Sequence, residues 1–226
     1  TATGGVLSVA KNGQNPQFTA DELAAIVSTA KDYGMLTAAH AHGDEGMRRA
    51  IIAGIKTIEH GTLMEPSTMD LMVKYDAYLV PTISAGKAAA ANAAIPGYFP
   101  EVIAKKALEI GPRSQSTFAA AYKKGVKIAF GTDAGVSPHG DNAKEFGFMV
   151  AAGMPVMEAI AAATITNANL LGYSNSLGQL KQGYTADIVA VNEHPQANVS
   201  TLEQVVFVMK EGLIFKNQDK EVLRDY

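Results

Sequence analysis

Three residues have the types and the placement that metal-dependent hydrolysis requires, namely His40, His60 and Asp133. Each follows a short apolar run of the kind that forms a buried strand. A zinc hydrolase needs neutral imidazoles to hold the ion, an open position for water, and a carboxylate that takes a proton from that water. We therefore predict that His40 and His60 bind zinc. Asp133 would act as general base and acid, taking the proton of a metal-activated water and passing it to the leaving amine.

Three further residues are candidates for binding the substrate. His42 lies two residues beyond His40, so both face the same side if the strand continues, and His42 would polarise the substrate carbonyl or orient a ligand. Thr82 ends another predicted strand, and His139 lies in a turn-rich loop after Asp133. A solvated loop histidine is an equally good interpretation of His42 and of His139, and a single histidine at a strand end is more often structural.

These residues require a scaffold that brings several strand ends together. From residue 19 the pattern alternates helices with short apolar strands, which favours a parallel α/β sheet over a bundle or a sandwich. Thr19 and Glu22 form a capping box at the start of the first helix, and Gly34 ends that helix. Active sites of (β/α)8 barrels lie at the C-terminal ends of the strands. Four consecutive strand and helix units therefore predict strands 5 to 8 of a TIM-like barrel, its C-terminal half.

The later part of the chain predicts a change of architecture. An Ala-rich connection follows Thr82, and one long helix is predicted over residues 100–124. Beyond Gly183 the apolar residues alternate with period two, which indicates short strands. We therefore predict two domains. Residues 1–183 would form a partial metal-dependent hydrolase barrel, and residues 184–226 would form a segment of a small β-sandwich.

Composition narrows the classes of partner. The 226 residues carry a formal net charge of −3 and no basic run, which argues against nucleic acid. The apolar stretches are too short for a membrane span. Without cysteine, histidine and carboxylate are the expected zinc ligands. The chain begins without Met and shows no export signal, so we expect a fragment or processed piece whose compartment, cytoplasmic or periplasmic, is open.

Three motifs carry a family resemblance. Their sequences are AHAHG at residues 39–43, IEHGT at 58–62 and FGTDAG at 130–135. In order and spacing they resemble the motifs of strands 5, 6 and 8 in the amidohydrolase superfamily, and the resemblance covers essentially the whole chain. It is closest to the prolidase-like branch of Xaa-Pro dipeptidases and Arg/Lys carboxypeptidases, in which a segment similar to residues 2–6 follows strand 4.

The resemblance implies a binuclear zinc site. In the family, the positions matching His40 and His60 bind the second metal, and the position matching Asp133 contacts the first metal and the hydroxide. A His-x-His pair on strand 1 and a carboxylated lysine on strand 4 complete the ligand set. No His-x-His pair precedes a helix near the N-terminus of this sequence, and by alignment of the glycine motif the lysine would lie upstream of Thr1. The resemblance thus implies a preceding barrel segment as a partner of this chain.

The resulting functional expectation is hydrolysis of an amide bond in a dipeptide or at the C-terminal residue of a short peptide. One alternative is hydrolysis of a non-peptide C–N bond, such as a cyclic amide or an N-acyl group, because this fold holds many substrates. Another is a non-catalytic half-barrel without the N-terminal ligands. Half a barrel exposes two strand edges, which favour association with another segment or into homo-oligomers.

Overall fold

The computed structural model describes residues 1–9 and 13–218, and the chain divides into two compact units. The first unit is Thr1–His139 and the second is Gly140–Tyr226. Each unit has its own sheet.

The first unit contains a parallel sheet whose strands follow one another in chain order, β1-β2-β3-β4. The strands are β1 (Ala38–Ala41), β2 (Thr57–His60), β3 (Tyr78–Val80) and β4 (Lys127–Ile128). The helices before β3 are α1 (Ala20–Asp32), α2 (Asp44–Ala53) and α3 (Pro66–Lys74). This alternation confirms the predicted α/β fold with a parallel sheet.

Local signals set the ends of these helices. Thr19 and Glu22 make the predicted capping box, in which the Thr19 hydroxyl accepts from the Glu22 amide and the Glu22 carboxylate accepts from the Thr19 amide. Gly54 ends α2 in the left-handed conformation, with φ of 103°. Pro66 occupies the first turn of α3, where a missing amide hydrogen is tolerated.

One prediction about the connection between β3 and β4, the single long helix, is wrong. The Ala-rich segment is helix α4 (Ile83–Ala93), as the high helix propensity of alanine explains. The single helix predicted over residues 100–124 is instead two helices, α5 (Glu101–Ile110) and α6 (Arg113–Lys123). The break falls at Pro112, which has no amide hydrogen to continue the helical ladder.

Close backbone contact joins α4 to the junction of α5 and α6. A Cβ placed at Gly111 would lie 2.5 Å from the Gly86 carbonyl oxygen, and one at Gly86 would lie 2.8 Å from the Ser114 Oγ. Only glycine permits this approach, because any side chain would push the helices apart. Helices α4, α5 and α6, which connect β3 to β4, therefore pack against one another.

Apolar side chains fill the core of the first unit. Met47 and Ile51 of α2, Ile58 of β2, Met72 of α3 and Leu79 of β3 are all fully buried. They lie between the sheet and the helices that connect its strands, as expected when helices cover a parallel sheet.

The second unit combines helices with an antiparallel sheet. Its helical segments are α7 (Lys144–Ala151), α8 (Val156–Ala161), a π-helical turn (Ala162–Thr166) and α9 (Asn167–Leu170). Its strands are β5 (Ile188–Ala190), β6 (Phe207–Lys210) and β7 (Leu213–Asn217), in the order β5-β6-β7. These strands lie within the predicted appendage, of which residues 219–226 are outside the described residues. The domain boundary at 183/184 stays a prediction.

A search of the described residues for a membrane-spanning helix found none of sufficient length and apolar character.

The contact at Gly111 generates a prediction about stability. We expect Gly111→Ala to lower the free energy of unfolding by about 1–3 kcal/mol, because its Cβ would overlap the Gly86 carbonyl. Chemical denaturation measures this loss. Gly147→Ala is the matched control, since a Cβ at Gly147 meets no atom within 4 Å, and it should not destabilise the protein. Equal stability of both variants would contradict the close helix contact.

Candidate metal centre

Three imidazoles converge at one end of the parallel sheet. Each of His40, His42 and His60 offers a ring nitrogen, and these atoms lie within 4.8 Å of one another. The ring centroids are 4.6 Å apart for His40 and His60, and 4.9 Å apart for each pair that includes His42. The trio is thus compact enough to surround a single ion.

Strand register explains this convergence. His40 lies in β1 opposite Glu59 of β2, and Ala41 lies opposite His60 at the carboxyl end of β2. His42 follows β1 directly and, being two residues from His40, returns to the same face. Parallel strands end at the same edge of a sheet, so the three side chains meet there.

Left-handed backbone conformations mark the strand ends. His60 has φ of 71°, Thr82 has 45° and Asp133 has 53°. This region is unfavourable for residues with a Cβ, and residues held in it concentrate at functional sites. All three of these side chains line one cavity.

Two threonines hold two of the imidazoles. Nδ1 of His60 lies 2.7 Å from Oγ1 of Thr82, and Nδ1 of His42 lies 3.0 Å from Oγ1 of Thr62. Each contact leaves Nε2 of the ring for another partner. Within the described part of the chain, Nε2 of His40 is buried without a hydrogen-bond partner. A buried polar atom of this kind is costly unless a ligand satisfies it.

Burial keeps the imidazoles neutral. It lowers the pKa of His42 to about 3, with smaller contributions from the charges of His60, His40 and Lys106. It lowers the pKa of His60 to about 4, with His40 adding to the effect. Burial also lowers the pKa of His40, although a hydrogen bond with the Gly4 backbone and the charge of Asp133 oppose the shift. At neutral pH all three rings are therefore in the form that binds metal.

The imidazoles line a cavity of about 490 Å³. Asp133 and Thr82 line it together with Glu59, and Asp133 is itself exposed. Burial raises the pKa of Glu59, with the Asp133 charge adding to the effect and a hydrogen bond from Thr57 opposing it. The remaining wall is mostly apolar or small, and it includes Val6, Leu7, Val80, Ala85, Gly86, Ala89, Ile110 and Val136.

The structure brings five of the six sequence-predicted site residues to this cavity: His40, His42, His60, Thr82 and Asp133. His42 joins the two predicted histidine ligands in one trio, whereas Asp133 lies outside the group of ligand atoms within 4.8 Å. His139 is exposed and is not among the residues that line the cavity. The contact between His139 and the substrate stays a prediction.

Sequence reasoning missed Glu59 and the turn of residues 5–8. Glu59 precedes His60 in the same strand, so period-two alternation alone would point it to the opposite face. The left-handed bend at His60 changes that alternation, and both residues line the cavity. The glycine pair Gly4-Gly5 was a weak signal for the turn, since glycines serve turns of many kinds.

The donor set fits a zinc ion. Zinc accepts neutral imidazole and carboxylate ligands, and the Nε2 atom of His40 is a buried acceptor that needs a partner. These residues of the chain suit the metal that the strand-end motifs imply.

Comparison with known proteins identifies the family. A model of the amidohydrolase family matches residues 1–214. The chain belongs to the amidohydrolase family. It is 34% identical over 220 residues to the ochratoxinase of Aspergillus niger, covering 95% of this chain and 45% of that protein.

Solved structures confirm the prolidase-like resemblance. A Xaa-Pro dipeptidase with bound methionine in its active site is 55% identical, with a TM-score of 0.94, over 96% of this chain and 53% of that one. A prolidase in complex with N-methylphosphonate-L-proline is 29% identical, with a TM-score of 0.88, over 96% of this chain and 54% of that one. The chain thus spans about half the length of these relatives.

The lowered histidine pKa values predict how stability depends on pH. Unfolded histidines bind protons below about pH 6.5, whereas folded His42 and His60 do so only at about 3 and about 4. At pH values between the folded and the unfolded pKa values, the unfolded state therefore binds more protons than the folded state. The free energy of unfolding of the metal-free protein should fall as pH drops from 6.5 towards 5, by at most about 1.4 kcal/mol per pH unit for each histidine.

Denaturant titrations at several pH values measure this slope. His42→Leu should reduce it, while His194→Leu, at an exposed position, should leave it unchanged. A stability that is constant between pH 6.5 and 5 would contradict burial of neutral imidazoles.

Proposed function

We propose that this chain carries part of the active site of a zinc-dependent hydrolase that cleaves an amide bond. The observation that carries the proposal is the trio of neutral imidazoles on the cavity that Asp133 also lines. His40 and His60 would hold the metal with Asp133, and His42 would face the substrate carbonyl.

We further propose that residues 1–183 form strands 5 to 8 of a (β/α)8 barrel, with residues 184–226 in a small β-sandwich. The sheet order and the length of the relatives support this.

On the other edge of β1, the Ala2 amide donates to the His40 carbonyl at 2.8 Å. Met35 and Leu36, just before β1, are 66% and 57% exposed. A preceding barrel segment or a second copy of the chain would cover them, and the segment would supply the carboxylated lysine of a second zinc site.

The mechanism assigns a task to each side chain. When bound, zinc acts as a Lewis acid that makes water acidic enough to lose a proton near neutral pH. The Asp133 carboxylate accepts the proton of the attacking water and donates it to the leaving amine nitrogen. If Nδ1 of His42 accepts from Thr62, Nε2 carries the proton and can donate to the carbonyl oxygen of the substrate.

The proposed substrate is a dipeptide or the C-terminal residue of a short peptide. The Xaa-Pro dipeptidase and the prolidase among the relatives support this choice, as does the mostly apolar cavity wall. The ochratoxinase relative favours the second candidate, hydrolysis of a non-peptide amide. Turnover of a dipeptide library beside a set of cyclic amides and N-acyl compounds separates the two.

The proton-transfer role predicts the effect of Asp133→Asn in the full-length protein. An amide cannot accept the proton, so kcat/KM should fall by at least about 100-fold. The imidazoles are unchanged, and zinc measured by atomic absorption should remain bound. Asp32→Asn, on the exposed end of α1, is the matched control and should behave as wild type. Unchanged turnover by the Asp133 variant would reject the assigned role.

The ligand role predicts the effect of replacing His40 and His60 together by alanine. Loss of two imidazoles should lower zinc affinity by more than about 100-fold, measured by competition with a chelating dye. His194→Ala, at an exposed position, should retain wild-type affinity.

Size-exclusion chromatography of the 226-residue chain, with its zinc content measured, complements this test. A zinc-free monomer would favour the non-catalytic half-barrel instead.

A further inference from the structure

A buried lysine lies behind the cavity wall. Lys106 of α5 is only 8% exposed, and its neighbours on the same helix face, Ile103, Ala107 and Ile110, are buried apolar residues. A cation in such a position must be compensated by hydrogen-bond acceptors. The acceptors around its ammonium group therefore indicate what the side chain does.

The ammonium group of Lys106 binds a turn about one hundred residues earlier in the chain. Nζ donates to the Gly5 carbonyl at 3.2 Å, to the Ser8 carbonyl and to the Ser8 Oγ at 3.4 Å. Partial burial lowers the pKa of Lys106. One side chain thus fixes both ends of the segment 5–8.

The turn has its own closing bonds and an apolar anchor. The amide and the hydroxyl of Ser8 donate to the Gly5 carbonyl at 3.3 Å and 2.8 Å. Val6 belongs to a buried cluster with Ala107 and Ile110 of α5. The polar and the apolar contacts come from residues of the same helix, so α5 holds the turn in position.

Residues 5–8 in turn shape the cavity beside the metal centre. All four line the cavity, and a Cβ at Gly5 would lie 3.3 Å from Nε2 of His40. The turn therefore sets how much room a substrate has next to that imidazole. His40 itself is held by β1, which Lys106 does not contact in the bonds described above.

We propose that Lys106 is a positioning residue for substrate binding, because its ammonium group holds the turn of residues 5–8 as a fixed wall of the cavity beside His40. Lys106 is not among the residues that line the cavity, so it would act through the turn and not by contact with a ligand. It determines substrate affinity through the turn, and leaves the metal ligands in place. The inference rests on the proposed amide-hydrolase function only for its kinetic consequence, while its structural consequence can be measured without any activity.

The test compares Lys106→Met with two other variants of the full-length protein. Methionine keeps the apolar stem and removes the donors. Lys106→Arg restores donors to the same carbonyls. Lys105→Met is the matched control, since Lys105 is the exposed neighbour on the same helix.

Three measurements give the expected result. Amide hydrogen exchange of the peptide containing Ser8 should become about tenfold or more faster in Lys106→Met, because a charge-assisted hydrogen bond is lost. KM for the best dipeptide or amide substrate should rise about tenfold, while kcat stays within about twofold of wild type. Zinc content should not change. Lys106→Arg should recover part of both effects, and Lys105→Met should show neither.

Other outcomes would overturn the inference. Wild-type exchange in the Ser8 peptide of Lys106→Met would show that the lysine does not hold the turn. Faster exchange throughout the protein, with equal loss of zinc and no rescue by arginine, would show that Lys106 only stabilises the fold. A wild-type protein that hydrolyses no amide would reject the proposed function instead, and the exchange measurement would still decide the role of Lys106.

Discussion

The burial of three imidazoles at one end of a parallel sheet is the constraint on which the rest of the site depends. Burial keeps His40, His42 and His60 neutral, which metal binding requires, but it also withdraws their ring nitrogens from water. The threonines beside His42 and His60 compensate one nitrogen of each ring. Nε2 of His40 remains without a hydrogen bond from the described residues. The fold therefore accepts an unfavourable polar cluster that a ligand would relieve.

The backbone at the strand ends adopts unfavourable conformations at residues of the same site. His60, Thr82 and Asp133 each adopt a left-handed conformation, which for a residue with a side chain costs of order 1–3 kcal/mol. Such conformations persist only when surrounding contacts determine them. The His60–Thr82 hydrogen bond joins two of these positions directly, so each bend supports the other. The hydrogen bond and the two bends together fix the positions of the His60 and Thr82 side chains.

Much of this arrangement could be predicted from the sequence because it follows from local rules. The capping box at Thr19 and the Pro66 helix start are local signals, and the edge at which His40 and His60 meet follows from parallel strands ending together. The helix break at Pro112 and the turn of residues 5–8 were not predicted. The break follows from Pro112 itself, a local signal that the prediction of one long helix overlooked. The position of the turn depends on a contact between distant segments, Lys106 with Gly5, which no local pattern reveals.

Two parts of the fold form the site, and different contacts hold each part in place. The strand ends supply the imidazoles and Asp133, whose positions are fixed by register and by left-handed bends. The inserted helices α4–α6 and the turn of residues 5–8 supply much of the remaining wall, through residues such as Ala85, Ala89 and Val6. The glycine contacts between α4 and the end of α5 involve no strand residue. Thr82 joins the two parts, because it precedes the first residue of α4 and its hydroxyl contacts the His60 imidazole.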